Sequence, residues 1–124
     1  MRHLTLILAL FLSAHVSAQP ANDNRASAID VTALINGCSA NAAYTTVAAT
    51  ADQAAGTCAP NGPSYNVWFQ FTATATTFIN AQMKTGAPLG TLQYGWLTLW
   101  NAAGTQLACS PYNSQQYGTM EFSY

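Results

Sequence analysis

The residues that could carry out chemistry are few in this chain of 124 residues. Both histidines, His3 and His15, lie within the first 18 residues. The rest of the chain therefore lacks the commonest general base near neutral pH and the imidazole ligand of zinc. A glycosidase needs two carboxyl groups flanking one bond. The acids after residue 18 are isolated from one another in sequence, so we expect no catalytic residues; they are Asp23, Asp30, Asp52 and Glu121.

Asp23 is the one candidate metal ligand. Asn24 or a backbone carbonyl could join Asp23 in a calcium site, because calcium takes oxygen ligands from loops. The alternative is that Asp23 caps a turn, which is the commoner role of aspartate in such a segment. We expect no resident cofactor, and calcium at Asp23 stays the open alternative.

Three aromatic residues, Tyr94, Trp96 and Trp100, follow the two-residue period of a strand. If Leu97 and Leu99 face a core, the three aromatic side chains share the opposite face. Aromatic rings on an open sheet face are typical of carbohydrate-binding surfaces, and exposed aromatic patches mark contacts. The alternative is that the N-terminal segment or the loop 52–64 covers this face, since tryptophan is highly buried on average.

The chain has three cysteines, Cys38, Cys58 and Cys109. Their spacing contains no metal-binding pattern, and in an oxidising compartment cysteines pair. Cys38 and Cys58 lie close in sequence within turn-rich segments. We therefore expect a Cys38–Cys58 disulfide, with Cys109 unpaired.

The N-terminus is typical of a secretory signal peptide. Arg2 precedes an apolar run over residues 4–12, and small residues end the segment at Ala18. The run is about half of the ~20 residues that span a bilayer. We expect cleavage after Ala18 and a secreted or cell-surface mature chain without a membrane span.

Charge excludes several classes of protein. Charged residues make up 6% of the chain and hydrophobic residues 50%. After Ala18 the only cations are Arg25 and Lys84, too few to neutralise a phosphate backbone. Nucleic-acid binding, a coiled coil and a charge-rich disordered tail are therefore not expected.

Short alternating segments between Gly/Pro turns predict an all-β protein, an antiparallel β-sandwich of jelly-roll type. A polar entry segment over 19–28 precedes a β-sandwich domain over 29–124. The last predicted strand reaches the final residue without a closing turn, which predicts an open edge and a domain incomplete at its C-terminal end. The predicted strands are 29–34, 44–50, 65–72, 78–85, 94–100, 105–110 and 119–124.

Four motifs carry a resemblance to a known family; they are Asn22-Asp23-Asn24, Ala49-Thr50-Ala51-Asp52, Gly62-Pro63-Ser64-Tyr65-Asn66-Val67-Trp68-Phe69 and the segment 99–109. Over residues 20–124 the chain resembles the bacterial pre-peptidase C-terminal-like (PPC-like) β-sandwich domains of large secreted and cell-surface proteins. Such domains are common in gliding bacteria, in proteins that continue into adhesive repeats and a type IX secretion tail.

The chain departs from this family at two places. Arg25 stands where family members usually have a cysteine, so one family disulfide is rearranged or missing. Family members also continue through a further strand, whose cysteine could pair with Cys109. The resemblance therefore implies a fragment truncated at its C-terminus.

Three functions follow as expectations. The first is a non-catalytic accessory or adhesion-type module at the N-terminus of an exported bacterial surface protein. The second is a carbohydrate-binding module that uses Tyr94, Trp96 and Trp100. The third is an accessory domain of a larger secreted hydrolase whose catalytic part is not in this chain. The expected partners are surface polysaccharide or other domains of the same polypeptide.

Overall fold

The computed structural model describes residues 18–53, 56–57, 65–73, 78–110 and 118–124. Residues 1–17 lie outside these ranges, so the signal peptide stays a prediction. In the described part of the chain the regular elements are strands and two short 3-10 turns, which confirms the all-β class. No helix there is long and apolar enough to cross a membrane.

Six strands pair into three two-stranded sheets among the described residues. β1 pairs with β2, β3 with β6, and β4 with β5. The 3-10 turns cover Arg25–Ser27 and Thr32–Leu34 on either side of β1. The strands are β1 Ile29–Asp30, β2 Phe69–Gln70, β3 Asn80–Lys84, β4 Thr98–Trp100, β5 Gln106–Cys109 and β6 Thr119–Ser123.

The β1–β2 pair is parallel, which differs from the expected antiparallel order. The Ile29 amide donates to the Trp68 carbonyl at 3.1 Å, and the Val31 amide donates to the Gln70 carbonyl at 2.8 Å. Parallel pairing requires a long connection between the strands. The chain between β1 and β2 is long enough to return and place β2 beside β1 in the same direction.

The β3–β6 sheet contains the two larger side chains of the apolar core. Met120 and Phe122 are buried on one face of β6, opposite Met83 and Ala81 of β3. The other face of β3 is exposed, which confirms the alternation predicted for this segment. Burying this face against the rest of the chain is the main hydrophobic stabilisation visible in the described residues.

β6 is fully paired with β3 along one side. Five residue pairs join the strands, and Ile79 and Tyr124 exchange two further backbone hydrogen bonds of 2.7 and 2.9 Å. β6 is therefore paired on this side, and the open edge stays a prediction for its other side.

Residues 44–50 do not form the predicted strand. Ala42 and Ala48 have φ angles of 52° and 62°, in the left-handed region that an extended strand does not use. The Val47 amide bonds to the Thr45 hydroxyl, a local bond that competes with strand pairing. Alanine is also a poor strand former, so the many alanines here do little to favour a strand over turns.

β4 and β5 lie within the predicted strands 94–100 and 105–110 and form an antiparallel hairpin. Asn101 closes its loop, because its amide donates to the Thr105 carbonyl and its side-chain oxygen accepts from the Thr105 amide, each at 2.9 Å. Gly104 supplies the positive φ of 85° that the turn requires.

A register shift in this hairpin places Gln106 and Cys109 on one face. Thr98 lies opposite Cys109 and Trp100 lies opposite Gln106, with one extra residue, Leu107, in β5. Residues three apart normally face opposite ways in a strand, but an extra residue of this kind restores them to the same side. The Gln106 amide nitrogen accordingly lies 3.5 Å from the Cys109 sulfur.

Candidate functional site

Tyr94 and Trp96 form an exposed aromatic pair at the entrance to β4. Their side chains are 47% and 36% exposed. Gly95 between them backs onto the core, since a Cβ there would lie 3.0 Å from Met83 Cε and 3.7 Å from Met120 Sδ. The missing side chain lets this segment lie against the two methionines, and both aromatic rings are left accessible to solvent.

Trp100 is not among the exposed large hydrophobic residues that include this pair. It is half-buried, and its ring lies 3.5 Å from the Cβ position of Gly56, in the loop 52–64. Thr57 is fixed beside it by two hydrogen bonds with Gln106: the Thr57 amide donates at 2.9 Å and the Thr57 hydroxyl accepts at 2.7 Å. The strand also begins only at Thr98. Trp100 is thus partly covered by Gly56, and a face shared by all three aromatic residues stays a prediction.

Asp23 is a buried anchor for the segment around Thr50. Its two carboxylate oxygens accept from the Thr50 amide at 2.5 Å and from the Thr50 hydroxyl at 2.7 Å. Its neighbour Asn22, also buried, holds Trp68 by donating its side-chain amide to the Trp68 carbonyl and accepting from the Trp68 amide, each at 2.9 Å. The motif thus joins three distant segments.

These contacts bear on the calcium alternative at Asp23. A calcium ion takes six to eight oxygen ligands, and both oxygens of Asp23 already accept hydrogen bonds from Thr50. The described residues contain no cluster of three or more acidic, histidine or cysteine side chains. The partner of Asp23 lies 27 positions away, so these bonds are not the local turn cap of the alternative, and calcium at Asp23 stays a prediction.

Asp52 lies at the centre of a second hydrogen-bond network. One carboxylate oxygen accepts from the Asn66 side chain at 2.6 Å and from the Trp68 indole at 2.7 Å. The other oxygen accepts from the Arg25 backbone amide at 2.9 Å. Burial pushes the pKa of Asp52 up, but these hydrogen bonds together outweigh it and hold the pKa below its usual value.

The two remaining acids accept hydrogen bonds from a nearby turn or from the paired strand. The Thr32 hydroxyl and backbone amide lower the pKa of Asp30 by hydrogen bonding to its carboxylate. Asn80 and then Gln82, both on β3, lower the pKa of Glu121 in the same way. Each carboxylate therefore stabilises a turn or a strand pair.

Arg25 connects the entry segment to the β4–β5 hairpin, a role that sequence reasoning missed. Its guanidinium donates to the carbonyls of Asn101 and Ala102, both at 2.9 Å. The same group lies over the Trp68 ring. The signal available in the sequence was the scarcity of cations, together with the several donors that a guanidinium presents in a fixed fork.

The cysteines do not follow the expected pairing. Cys38 is a free thiol on the surface, so the Cys38–Cys58 bond is wrong. Cys109 is disulfide-bonded, so the expectation that it is unpaired is wrong as well. Closeness in sequence was therefore a poor guide to pairing for Cys38. Cys58 lies outside the described residues.

No family model, no curated protein and no solved structure matches this chain. The likeness to PPC-like domains therefore rests on sequence motifs alone, and it stays a prediction. The described residues form an all-β structure. Tyr94 and Trp96 are exposed on it, and its acids accept hydrogen bonds from other residues of the fold.

Proposed function

We propose that this chain is a non-catalytic accessory or adhesion-type module of an exported bacterial surface protein, and that Tyr94 and Trp96 form its contact surface. The fold we propose for it is a β-sandwich. Two contacts support that architecture: β5 lies beside β6, and Gly95 packs on Met83 and Met120 between the hairpin and the β3–β6 sheet.

The observation that carries the proposal is the use of the four acids. Asp23, Asp30, Asp52 and Glu121 each accept hydrogen bonds from the chain itself. Acid–base catalysis requires a carboxyl group that reaches a substrate and has its pKa tuned toward the working pH. The three resolved pKa shifts, of Asp30, Asp52 and Glu121, are all downward, so these groups stay ionised at neutral pH and serve the fold.

The second observation is the exposed pair itself. An exposed tyrosine and an exposed tryptophan two positions apart in sequence present apolar area with polar tips, which is the composition that protein contact surfaces favour. Because Gly95 fixes the backbone behind them, both rings are presented from a supported segment. Ordering that segment on binding then costs little conformational entropy.

Retention on cells tests the adhesion proposal. The exported protein, labelled at the exposed Cys38 thiol, is applied to the bacteria that produce it. We expect saturable retention that the Tyr94→Ala/Trp96→Ala double variant weakens about tenfold or more, as loss of two central aromatic contacts does. The matched control is Tyr65→Ala/Phe78→Ala, which removes two aromatic side chains that are 66% and 65% exposed elsewhere. Equal losses in both variants would show non-specific apolar adsorption and refute the assigned surface.

Carbohydrate is the ligand class that the pair favours. A planar indole and a phenol ring stack on the apolar faces of sugars, and the phenol oxygen adds a hydrogen bond. Electrophoresis in gels containing soluble polysaccharide separates this possibility from protein-mediated adhesion. Retardation that Trp96→Ala abolishes and Trp100→Ala leaves unchanged supports a sugar-binding surface restricted to Tyr94 and Trp96. Unchanged mobility in every polysaccharide, together with retention on cells, would assign the contact to a protein partner.

A further inference from the structure

We infer that the outer edge of β3 binds the same edge of a second copy of this chain, so that the two β3–β6 sheets join into one continuous antiparallel sheet. The inference is independent of the proposed function, because it concerns the backbone of β3 and not the surface formed by Tyr94 and Trp96.

β3 is an edge strand, since among the described strands it pairs with β6 alone. Ile79 and Tyr124 exchange two backbone hydrogen bonds, and in an antiparallel pair every second residue along a strand does so. The odd-numbered residues of β3 therefore direct their amides and carbonyls toward β6. The amides and carbonyls of Asn80, Gln82 and Lys84 point to the opposite side, where no described residue bonds to them. The side chains of these three residues are exposed.

This edge is complementary to itself when a two-fold axis passes through Gln82. Asn80 of one copy then lies opposite Lys84 of the other, and Gln82 lies opposite its own counterpart. In this register every outward amide and carbonyl of β3 meets one of the second copy. The contact is the isologous interface of a two-fold dimer, and main-chain hydrogen bonds of this kind are what add a strand to an exposed sheet edge.

The charges beside this edge favour the same register. Glu121 of β6 accepts a hydrogen bond from the Asn80 side chain, so its carboxylate is held beside Asn80. Lys84 of the second copy lies opposite Asn80 and therefore comes close to an anion, and the two-fold axis makes this contact twice. A register centred on Lys84 instead places the two lysines opposite each other, and like charges directly opposite destabilise a sheet. Lys84 thus selects the register in which all of β3 is paired.

A second copy is the occupant that this edge fits, because it matches the edge in backbone and in charge at the same time. The contact is short and polar, which is the character of weak and transient interfaces. We therefore expect dimers to form only at high protein concentration.

Sedimentation equilibrium over a wide range of protein concentration tests the inference. The exported protein carries Cys38→Ser, so that no disulfide through this exposed thiol links two chains. We expect a monomer–dimer equilibrium that Gln82→Pro abolishes, because proline removes the outward amide and leaves the hydrogen bonds to β6 in place. Gln82→Ala is the matched comparison, since it removes the same side chain and keeps the amide, and it should still dimerise. A chain that stays monomeric at every concentration, or dimers that Gln82→Pro leaves intact, would overturn the inference.

Charge variants test the register, and they decide the question if Gln82→Pro unfolds the chain. We expect Lys84→Glu and Glu121→Lys each to weaken dimerisation about tenfold, because each places like charges near one another at both ends of the paired edge. The double variant Lys84→Glu/Glu121→Lys should dimerise within about threefold of the parent. The two single substitutions change the net charge in opposite directions, so an effect of net charge would shift dimerisation in opposite directions. Such opposite shifts, or a double variant as weak as the single ones, would overturn pairing along β3.

Discussion

The guanidinium carbon of Arg25 lies 5.7 Å from the centre of the Trp68 ring, and the nitrogen of the same indole donates a 2.7 Å hydrogen bond to Asp52. One aromatic side chain thus contacts a cation on its face and an anion at its edge. Arg25 also bonds to the β4–β5 hairpin. Arg25 and Asp52, which lie 27 positions apart, therefore join the entry segment, Trp68 and the hairpin.

Arg25 should contribute measurably to stability. Arg25→Ala removes two hydrogen bonds to carbonyls and the contact with Trp68, so we expect a loss of about 1–2 kcal/mol in the free energy of unfolding. Lys84→Ala is the matched control, because Lys84 is the other cation after Ala18 and lies on the exposed face of β3. Urea denaturation measures both. Equal effects of the two substitutions would show that Arg25 acts only through net charge.

A side chain at position 104 should destabilise the hairpin turn. Gly104 has a φ of 85°, and a Cβ there would lie 2.9 Å from Arg25 Nη1. Gly104→Ala therefore combines backbone strain with displacement of the guanidinium, and we expect a loss of about 1–2 kcal/mol. A Cβ at Gly90 meets nothing within 4 Å, so Gly90→Ala should be nearly neutral. Thermal unfolding of the two variants compares them, and a neutral Gly104→Ala would refute the close approach of Arg25.

Acid should weaken the fold through carboxylates that are hydrogen-bonded in the folded state. The pKa values of Asp30, Asp52 and Glu121 are lowered on folding. A lowered pKa contributes stability that is present above the unfolded-state pKa, about 4, and is lost as the pH falls through the folded-state value. The urea midpoint should therefore be constant from about pH 7 to 5 and fall below about pH 4.

Asp52→Asn measures the contribution of Asp52 to this loss of stability in acid. The substitution should cost about 1 kcal/mol at neutral pH, at the low end for a charged acceptor because the carboxylate is largely exposed. The difference from wild type should shrink as the pH falls, because protonation removes the same charge from Asp52. A difference that stays constant down to pH 3 would show that Asp52 is not a charged acceptor in the folded state.

Sequence periodicity predicted the strands that are strongly amphipathic and those that pair with the next strand along the chain. The strands predicted over 78–85, 94–100 and 105–110 contain β3, β4 and β5. The same rule failed at 44–50, where threonine and valine suggested a strand but a local hydrogen bond and the left-handed Ala48 accompany turns.

The candidate site was harder to predict because it depends on contacts between distant segments. Alternation alone grouped Trp100 with Tyr94 and Trp96, since nothing in the pattern indicates that the loop at Gly56 covers one of the three. The role of Asp52 likewise requires Arg25, Asn66 and Trp68 to meet from three segments. Periodicity describes neighbours within one element and carries no information about contacts between distant segments.

Export can be checked at the N-terminus. The charged, apolar and small-residue regions of 1–18 predict cleavage after Ala18. N-terminal sequencing of protein recovered outside the cells that make it should therefore begin at Gln19. Protein that remains inside the cells and begins at Met1 would contradict the predicted signal peptide and the surface location with it.

Retention on the producing cells tests the central proposal, that the chain acts through binding at Tyr94 and Trp96. Saturable retention of the wild-type protein, weakened about tenfold or more in Tyr94→Ala/Trp96→Ala and unchanged in Tyr65→Ala/Phe78→Ala, is the result we predict. Wild-type protein that the cells fail to retain, or a double variant retained as strongly as wild type, would contradict it.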